Sequence, residues 1–589
     1  MQSYQRKNAS DEQKRTYATL VDLRDAQVRQ LGSPEVRDIE IPSDADADAR
    51  FALGSDDRPY RRLASWDDRF EDRYAVSLET GARRLLIRKD RGDTHLSPTG
   101  AFVVAYDAAR RAWYAVSSAT GRRVDLTSKL HVAFYDELDD HPAPPPSYGF
   151  AGWLNGDRYA LLRDRYDLWA VDPRTGAARD LTAGSGRKQH VRFSPLELDP
   201  EARSFDSRKP IVLASLDDRT KDQGLWRLTV GAAGGAAPQP LVRLPKALTN
   251  VQRARHDDRI VLTERRFEET ANLWSAPSIG APLARISDAN PQQARYAWGR
   301  ARLISYRSTW GVPLRGILLE PERRDSRKKL PMLVYIYERF SDDLHALPFT
   351  IPAPNTSPTL VRYVSNGYVV LIPDIAYRTG HPGASALGSV LPAVDRALAL
   401  ASVDPARIGI AGHSWGAYQI AYIIAHTNRF RAAEAGAAVG NMTSAYGGIR
   451  LESGVVRESQ YETGQSRIGA TPWDRPDLYL ENSALFHVRD VDTPYLTIAN
   501  DLDGAVPWQQ GLEFFTALRR LGKEAYLFQF DGEDHNLRGR EQQKYWTVHL
   551  DEFFDHFLKG APAPLWMTQG IDFLHRGERN VHILYGEKY

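Results

Sequence analysis

Apolar residues recur in two rhythms along this 589-residue chain, and the rhythm changes near its middle. In the first half they form short runs followed by turn signals, as narrow β-strands require. Arg73-Tyr74-Ala75-Val76-Ser77-Leu78 leads through Glu79-Thr80-Gly81 into Ala82-Arg83-Arg84-Leu85, which reads as strand, turn, strand. The theme returns at Trp113-Tyr114-Ala115-Val116 before Thr120-Gly121, and at Leu168-Trp169-Ala170-Val171 before Thr175-Gly176. Looser copies stand near Leu225-Trp226 and Leu273-Trp274, and Thr16 to Leu23 already reads as a strand of the same kind. A hairpin repeated every ~40–55 residues predicts propeller blades rather than one β-sandwich.

The second half alternates buried runs with helical stripes, the pattern of a doubly wound, mostly parallel sheet. Ile408-Gly409-Ile410-Ala411, Pro494 to Ala499 and Tyr526 to Phe530 read as strands. Trp508 to Leu521 reads as a helix with Leu512, Phe515 and Leu518 on one stripe.

Candidate chemistry sits at the ends of those strands. Gly412-His413-Ser414-Trp415-Gly416 joins the first run to a helical stretch, the strand–turn–helix context of a nucleophile elbow. Flanking glycines permit the sharp turn, and the helix start directs N–H groups at the place where a negative oxygen would form. A serine needs a base and a group that orients the base. The second run ends in Asn500-Asp501-Leu502-Asp503-Gly504, and the third in Asp531-Gly532-Glu533-Asp534-His535. The order Ser, Asp, His then assigns Ser414 as nucleophile, His535 as general base and Asp503 as its orienter, with Asp501 the rival. The backbone N–H of Trp415 is the natural first donor to an oxyanion.

These residues resemble the prolyl oligopeptidase family of serine peptidases. The resemblance extends to Ser308 to Pro321, to Pro331-Met332-Leu333-Val334-Tyr335-Ile336-Tyr337 and to Asn366 to Asp374, and covers most of residues 300–560. It implies an all-β propeller over residues 1–300, an α/β-hydrolase catalytic domain over 301–570 and a tail at 571–589. It also implies a second oxyanion donor in the Tyr337 hydroxyl, with Tyr335, two residues earlier on the same face, as competitor. No cofactor or metal is implied. The propeller would cover the site and limit entry to peptides or short chains. In the segment where the family's pocket residues occur, Tyr446, Tyr461 and Asn441 are candidates for substrate binding, with Trp415 beside the nucleophile. Glu268-Glu269 is a candidate acidic pair for a substrate amino terminus. Two departures stand out. Tyr337 is followed by Glu338-Arg339-Phe340 where the family has Gly-Gly-Pro, and Ala417 follows the elbow where a second glycine is common.

Five or six blades are visible, against the seven or eight usual in such proteins, so the chain is expected to begin partway through a propeller. On that reading a missing amino-terminal part could have carried a signal peptide, which the chain's own opening residues do not form. Relatives of this type are often exported, so the compartment stays open. Length alone calls for two or more domains. Lys and Arg number 77 against 75 Asp and Glu, a net charge of +2 that gives no basis for nucleic-acid or anionic-membrane binding. Arg61-Arg62 and Arg323-Arg324 read as solvated surface. The chain has no cysteine, which removes disulfides, cysteine–zinc sites and thiol catalysis together. No apolar run reaches 18 residues, so no membrane-spanning helix is expected. The leading reading is a serine peptidase of oligopeptides, of prolyl oligopeptidase or dipeptidyl peptidase type. A carboxylesterase or acyl-peptide hydrolase with the same triad and an inactive propeller that binds a partner are the alternatives.

Overall fold

The structure, a computed structural model, describes residues 2–43, 49–231, 235–322, 328–347 and 356–575. Arg323-Arg324 and the tail from residue 576 lie outside the described residues. Two compact units divide the chain: Met1–Arg265 with Ala271–Asp288, and Arg266–Thr270 with Ala289–Tyr589. The division therefore falls before residue 300, and the tip of one late hairpin groups with the second unit.

Among its described residues the first unit holds five four-stranded sheets, each a meander of strands consecutive in the chain, and a two-stranded piece pairing Thr19–Val21 with Val28–Gln30. The repeated hairpin seen in the sequence is the third and fourth strand of each of the first three sheets: Glu71–Ser77 with Arg83–Asp90, Ala112–Ser117 with Arg123–Asp125, and Leu168–Val171 with Ala178–Asp180. The Thr-Gly pair has a specific role in all three. Gly81, Gly121 and Gly176 take φ of 74°, 76° and 76°, and each donates its N–H 2.8 Å to the carbonyl four residues back. The Thr80, Thr120 and Thr175 hydroxyls each accept the N–H two residues on at 3.2 Å. Glycine supplies the left-handed backbone and threonine closes the turn, so the dipeptide sets the hairpin register. Trp113, Trp226 and Trp274 occupy the third strands of their sheets.

The second unit is built on eight strands: β1 (Gly299–Arg307), β2 (Pro313–Pro321), β3 (Leu330–Tyr335), β4 (Val369–Pro373), β5 (Val403–His413), β6 (Ala432–Gly436), β7 (Tyr495–Ile498) and β8 (Ala525–Phe528). Their order is β1-β2-β4-β3-β5-β6-β7-β8. The β1–β2 and β2–β4 pairs are antiparallel and every later pair is parallel. Helices α1 (Pro382–Leu400), α2 (Trp415–Ile424) and α3 (Trp508–Arg520) pack on one face, and α4 (Arg540–Lys559) packs on the other. All ten residues of α2 are buried; its sequence is apolar but for Gln419, whose amide donates to the Tyr337 carbonyl and the Tyr377 hydroxyl. The deep stripe of α3 is Gln510, Phe514 and Leu518, rotated from the expected Leu512, Phe515 and Leu518. No helix among the described residues is long and apolar enough to cross a membrane.

Candidate active site

β5 ends at His413 and α2 begins at Trp415, leaving Ser414 alone at the turn with φ 57° and ψ −114°. That backbone conformation is costly for an L-residue and projects the side chain off the strand end. The flanking glycines are needed for a concrete reason. A Cβ on Gly416 would stand 2.3 Å from the Ile336 carbonyl oxygen, and one on Gly412 would stand 2.8 Å from the same atom. The segment after β3 is thus pressed into the elbow. Ala417, at the departure from the family pattern, is fully buried in α2.

The loops after β7 and β8 bring the other two residues together. His535 Nδ1 lies 2.8 Å from Asp503 Oδ2. Asp503 is 4% exposed, and its Oδ1 accepts the N–H groups of Ala505 and Val506 at 2.8 and 2.7 Å. Two separate sets of donors therefore fix its two oxygens. Asp534 laces the loops by accepting from Gly504 N and His535 N at 2.9 and 2.7 Å, and Asn500 donates to the Asp534 carbonyl. Burial works to raise the Asp534 pKa, but those N–H groups and Arg538 outweigh it and lower the value. Asp501 is exposed and accepts only from Gly532 N, at 2.9 Å, so it does not orient His535. The His535 ring packs 4.4 Å from the ring of His413, the residue before Ser414. The Ser414 hydroxyl makes no hydrogen bond to His535 in this structure; such contacts often close only with substrate bound.

The Trp415 N–H is the first of its helix and has no intrahelical acceptor. The Trp415 side chain is core, stacked 4.5 Å from Tyr418, and its indole N–H donates to the Tyr377 hydroxyl at 3.0 Å. Tyr337 packs with the α1–α2 face, whereas Tyr335 packs with the opposite face and its hydroxyl pairs with Ser357 at 3.0 Å. The two tyrosines do not share a face, because β3 ends at Tyr335 and the alternation ends with it.

Beneath the elbow lies a polar pair that the sequence reading did not single out. The Thr356 hydroxyl pairs with His413 Nδ1 at 2.5 Å. Burial, and then the neighbouring His535, hold the His413 pKa well below the usual value, so His413 stays neutral beside His535. Glu434 on β6 is wholly buried, accepts from Gly412 N at 3.3 Å and leaves Oε1 without a partner. Burial raises its pKa well above the carboxylate range, only partly offset by the Gly412 and Gly436 N–H groups. An unfolded glutamate titrates near ~4.3. Folding therefore retains a proton across the interval above that value, and stability falls as pH rises through it. Glu434→Gln is expected to melt above wild type at pH 8 and to converge with it near pH 4. An equal gap at both pH values in thermal unfolding would count against a protonated Glu434.

The expected pocket residues have other work. Tyr446 and Tyr461 are buried in one aromatic cluster with Tyr479, and the Tyr446 hydroxyl donates to Glu462. Asn441 caps the short helix Met442–Tyr446 through Thr443 N, and its amide nitrogen donates to Glu513 at 2.7 Å. In this structure the three side chains make packing and capping contacts. Glu269 pairs with Arg266 at 2.6 Å and Glu268 accepts from Ala301 N at 3.2 Å, so neither carboxylate stands open for an amine. The sequence reading also missed Arg457, a buried guanidinium that donates to the Ala505 carbonyl in the Asp503 loop and to the Tyr461 hydroxyl.

The model of the prolyl oligopeptidase family matches residues 359–561. The uncharacterized peptidase YuxL of Bacillus subtilis is 24% identical over 311 residues, covering 49% of this chain and 44% of that protein. The acylamino-acid-releasing enzyme of Arabidopsis thaliana is 28% identical over 233 residues, covering 37% and 30%. The matched stretch is less than half the length of either relative. A puromycin-hydrolyzing peptidase of Mycobacterium tuberculosis overlays with a TM-score of 0.61 at 16% identity, covering 92% of this chain and 83% of that one. This likeness concerns the fold, an N-terminal β domain followed by an α/β-hydrolase. The matched span holds the elbow, α2 and both later loops, and over residues 359–561 the chain is similar to the prolyl oligopeptidase family.

Proposed function

We propose that the protein is a serine hydrolase of peptides that works through an acyl-enzyme on Ser414. The observation that carries the reading is the partly buried 2.8 Å bond between His535 and Asp503, made by two loops that converge on the elbow. His535 accepts the Ser414 proton as the hydroxyl attacks a substrate carbonyl, then returns it to the leaving amine. Asp503 holds the Nδ1–H tautomer and supports the imidazolium. The tetrahedral oxyanion is received by the Trp415 N–H and the Tyr337 hydroxyl. The five meanders of the first unit are read as blades of a β-propeller, since each is a four-stranded sheet of consecutive strands.

One observation favours a second reading within this chemistry. The Arabidopsis relative is named for releasing acylamino acids. N-acylated peptides are therefore candidate substrates alongside free oligopeptides.

The test is intact-mass spectrometry after treatment with a fluorophosphonate, followed by assays on acetylated and free-amine forms of one peptide p-nitroanilide. A single adduct and peptide turnover are expected. Folded protein that takes up no adduct would exclude a working nucleophile. Turnover of p-nitrophenyl esters with neither peptide hydrolysed would make it an esterase.

A further inference from the structure

We propose that Gln465 is a positioning residue that orients the Tyr337 hydroxyl toward the oxyanion, an inference that rests on the reading of Tyr337 given above. The Gln465 amide nitrogen lies 3.3 Å from Tyr337 Oη and 3.4 Å from Glu338 Oε1. A carboxylate beside an arginine only accepts, so Glu338 fixes which end of the amide faces the site. The amide must then donate to Tyr337 as well. A hydroxyl that accepts one such bond keeps its own proton for another partner, and the oxyanion is the partner the mechanism requires.

The rest of the network holds Gln465 and Tyr337 in place. Arg467, whose side chain is 3% exposed, reaches both Glu338 oxygens at 3.4 Å and donates to the Gln465 carbonyl at 2.7 Å. Its guanidinium also lies 4.0 Å over the ring of Tyr377. The Tyr377 hydroxyl donates to the Tyr337 carbonyl at 3.2 Å and accepts from Gln419 on α2 at 2.9 Å. Gln419 reaches the same Tyr337 carbonyl at 2.6 Å. The contacts close a ring that runs from the elbow helix through Tyr377, Tyr337, Gln465 and Arg467 back to Tyr377. Glu338 stands where the family pattern has glycine, so this chain meets a carboxylate next to its oxyanion donor with an arginine that balances the charge. Without Arg467 the Glu338 charge would oppose the developing oxyanion.

A double-mutant cycle on p-nitrophenyl butyrate hydrolysis tests the role. Tyr337→Phe is expected to lower kcat about 100-fold. Gln465→Ala is expected to lower kcat about tenfold with KM unchanged, and to add nothing in the Tyr337→Phe background. Gln465→Glu keeps the shape but turns the donor into an acceptor, so it should draw the tyrosine proton away and approach the Tyr337→Phe loss. That isostere also answers the case in which the alanine variant does not fold. A silent Gln465→Glu, or an equal tenfold loss in both backgrounds, would overturn the positioning role. A silent Tyr337→Phe would remove the oxyanion assignment itself and this inference with it.

Discussion

Asp503→Asn is expected to lower kcat/KM by about 10⁴-fold while Asp501→Asn changes it by no more than about twofold. The asymmetry follows from which atoms each carboxylate serves. Asp503 Oδ1 is committed to two backbone N–H groups and Oδ2 to His535 Nδ1. An asparagine has one acceptor oxygen for those two sides. If the oxygen stays with Ala505 and Val506, the amide N–H groups face Nδ1, and the imidazole must carry its proton on Nε2. That tautomer cannot accept the Ser414 proton. If the amide flips, two buried backbone donors lose their acceptor and the loop loosens. Asp501 forms one exposed bond to Gly532, and its loss touches neither ring nitrogen. Steady-state kinetics on the two variants decide the matter, and a large loss in Asp501→Asn with Asp503→Asn near wild type would reverse the assignment.

Ser414→Ala should have the largest effect of any single substitution, a fall in kcat on the order of 10⁶-fold. Alanine keeps the Cβ and the same φ and ψ, so the thermal midpoint should stay near that of wild type. The fluorophosphonate adduct should vanish with the activity. Residual hydrolysis above about 1% in a preparation free of contaminating hydrolase would move the nucleophile elsewhere.

The parts of this molecule that the sequence announces are those whose cues are local. The elbow needs only a buried run, two glycines and a helix, all within a short stretch. The Asp503 and His535 loops announce themselves by ending buried runs in the expected order. Thr-Gly marks the third-to-fourth-strand turns because the dipeptide itself makes the turn; the first two strands of each sheet carry no comparable signal. Where the cue is tertiary, the sequence is silent or misleads. Tyr446 and Tyr461 are the right residue types for a pocket, but burial in an aromatic cluster depends on Tyr479, which has no local sign. Tyr335 and Tyr337 pack against different clusters because alternation holds only as long as the strand does. The Gln465 network joins residues more than a hundred positions apart. Glu434 was the one missed feature with a readable signal, a lone acid inside Ala432-Ala433-Glu434-Ala435.

The strained backbone at Ser414 sets stability against chemistry at a single codon. Glycine is the residue to which φ 57°, ψ −114° is congenial, and the strain an L-residue bears there amounts to roughly 1–3 kcal/mol. A lineage released from selection for turnover would gain stability by exchanging this serine for glycine, whereas alanine would bring no such relief. Among descendants that keep the fold after losing the reaction, a Gly-His-Gly-Trp-Gly elbow is thus the form toward which drift and stability point together.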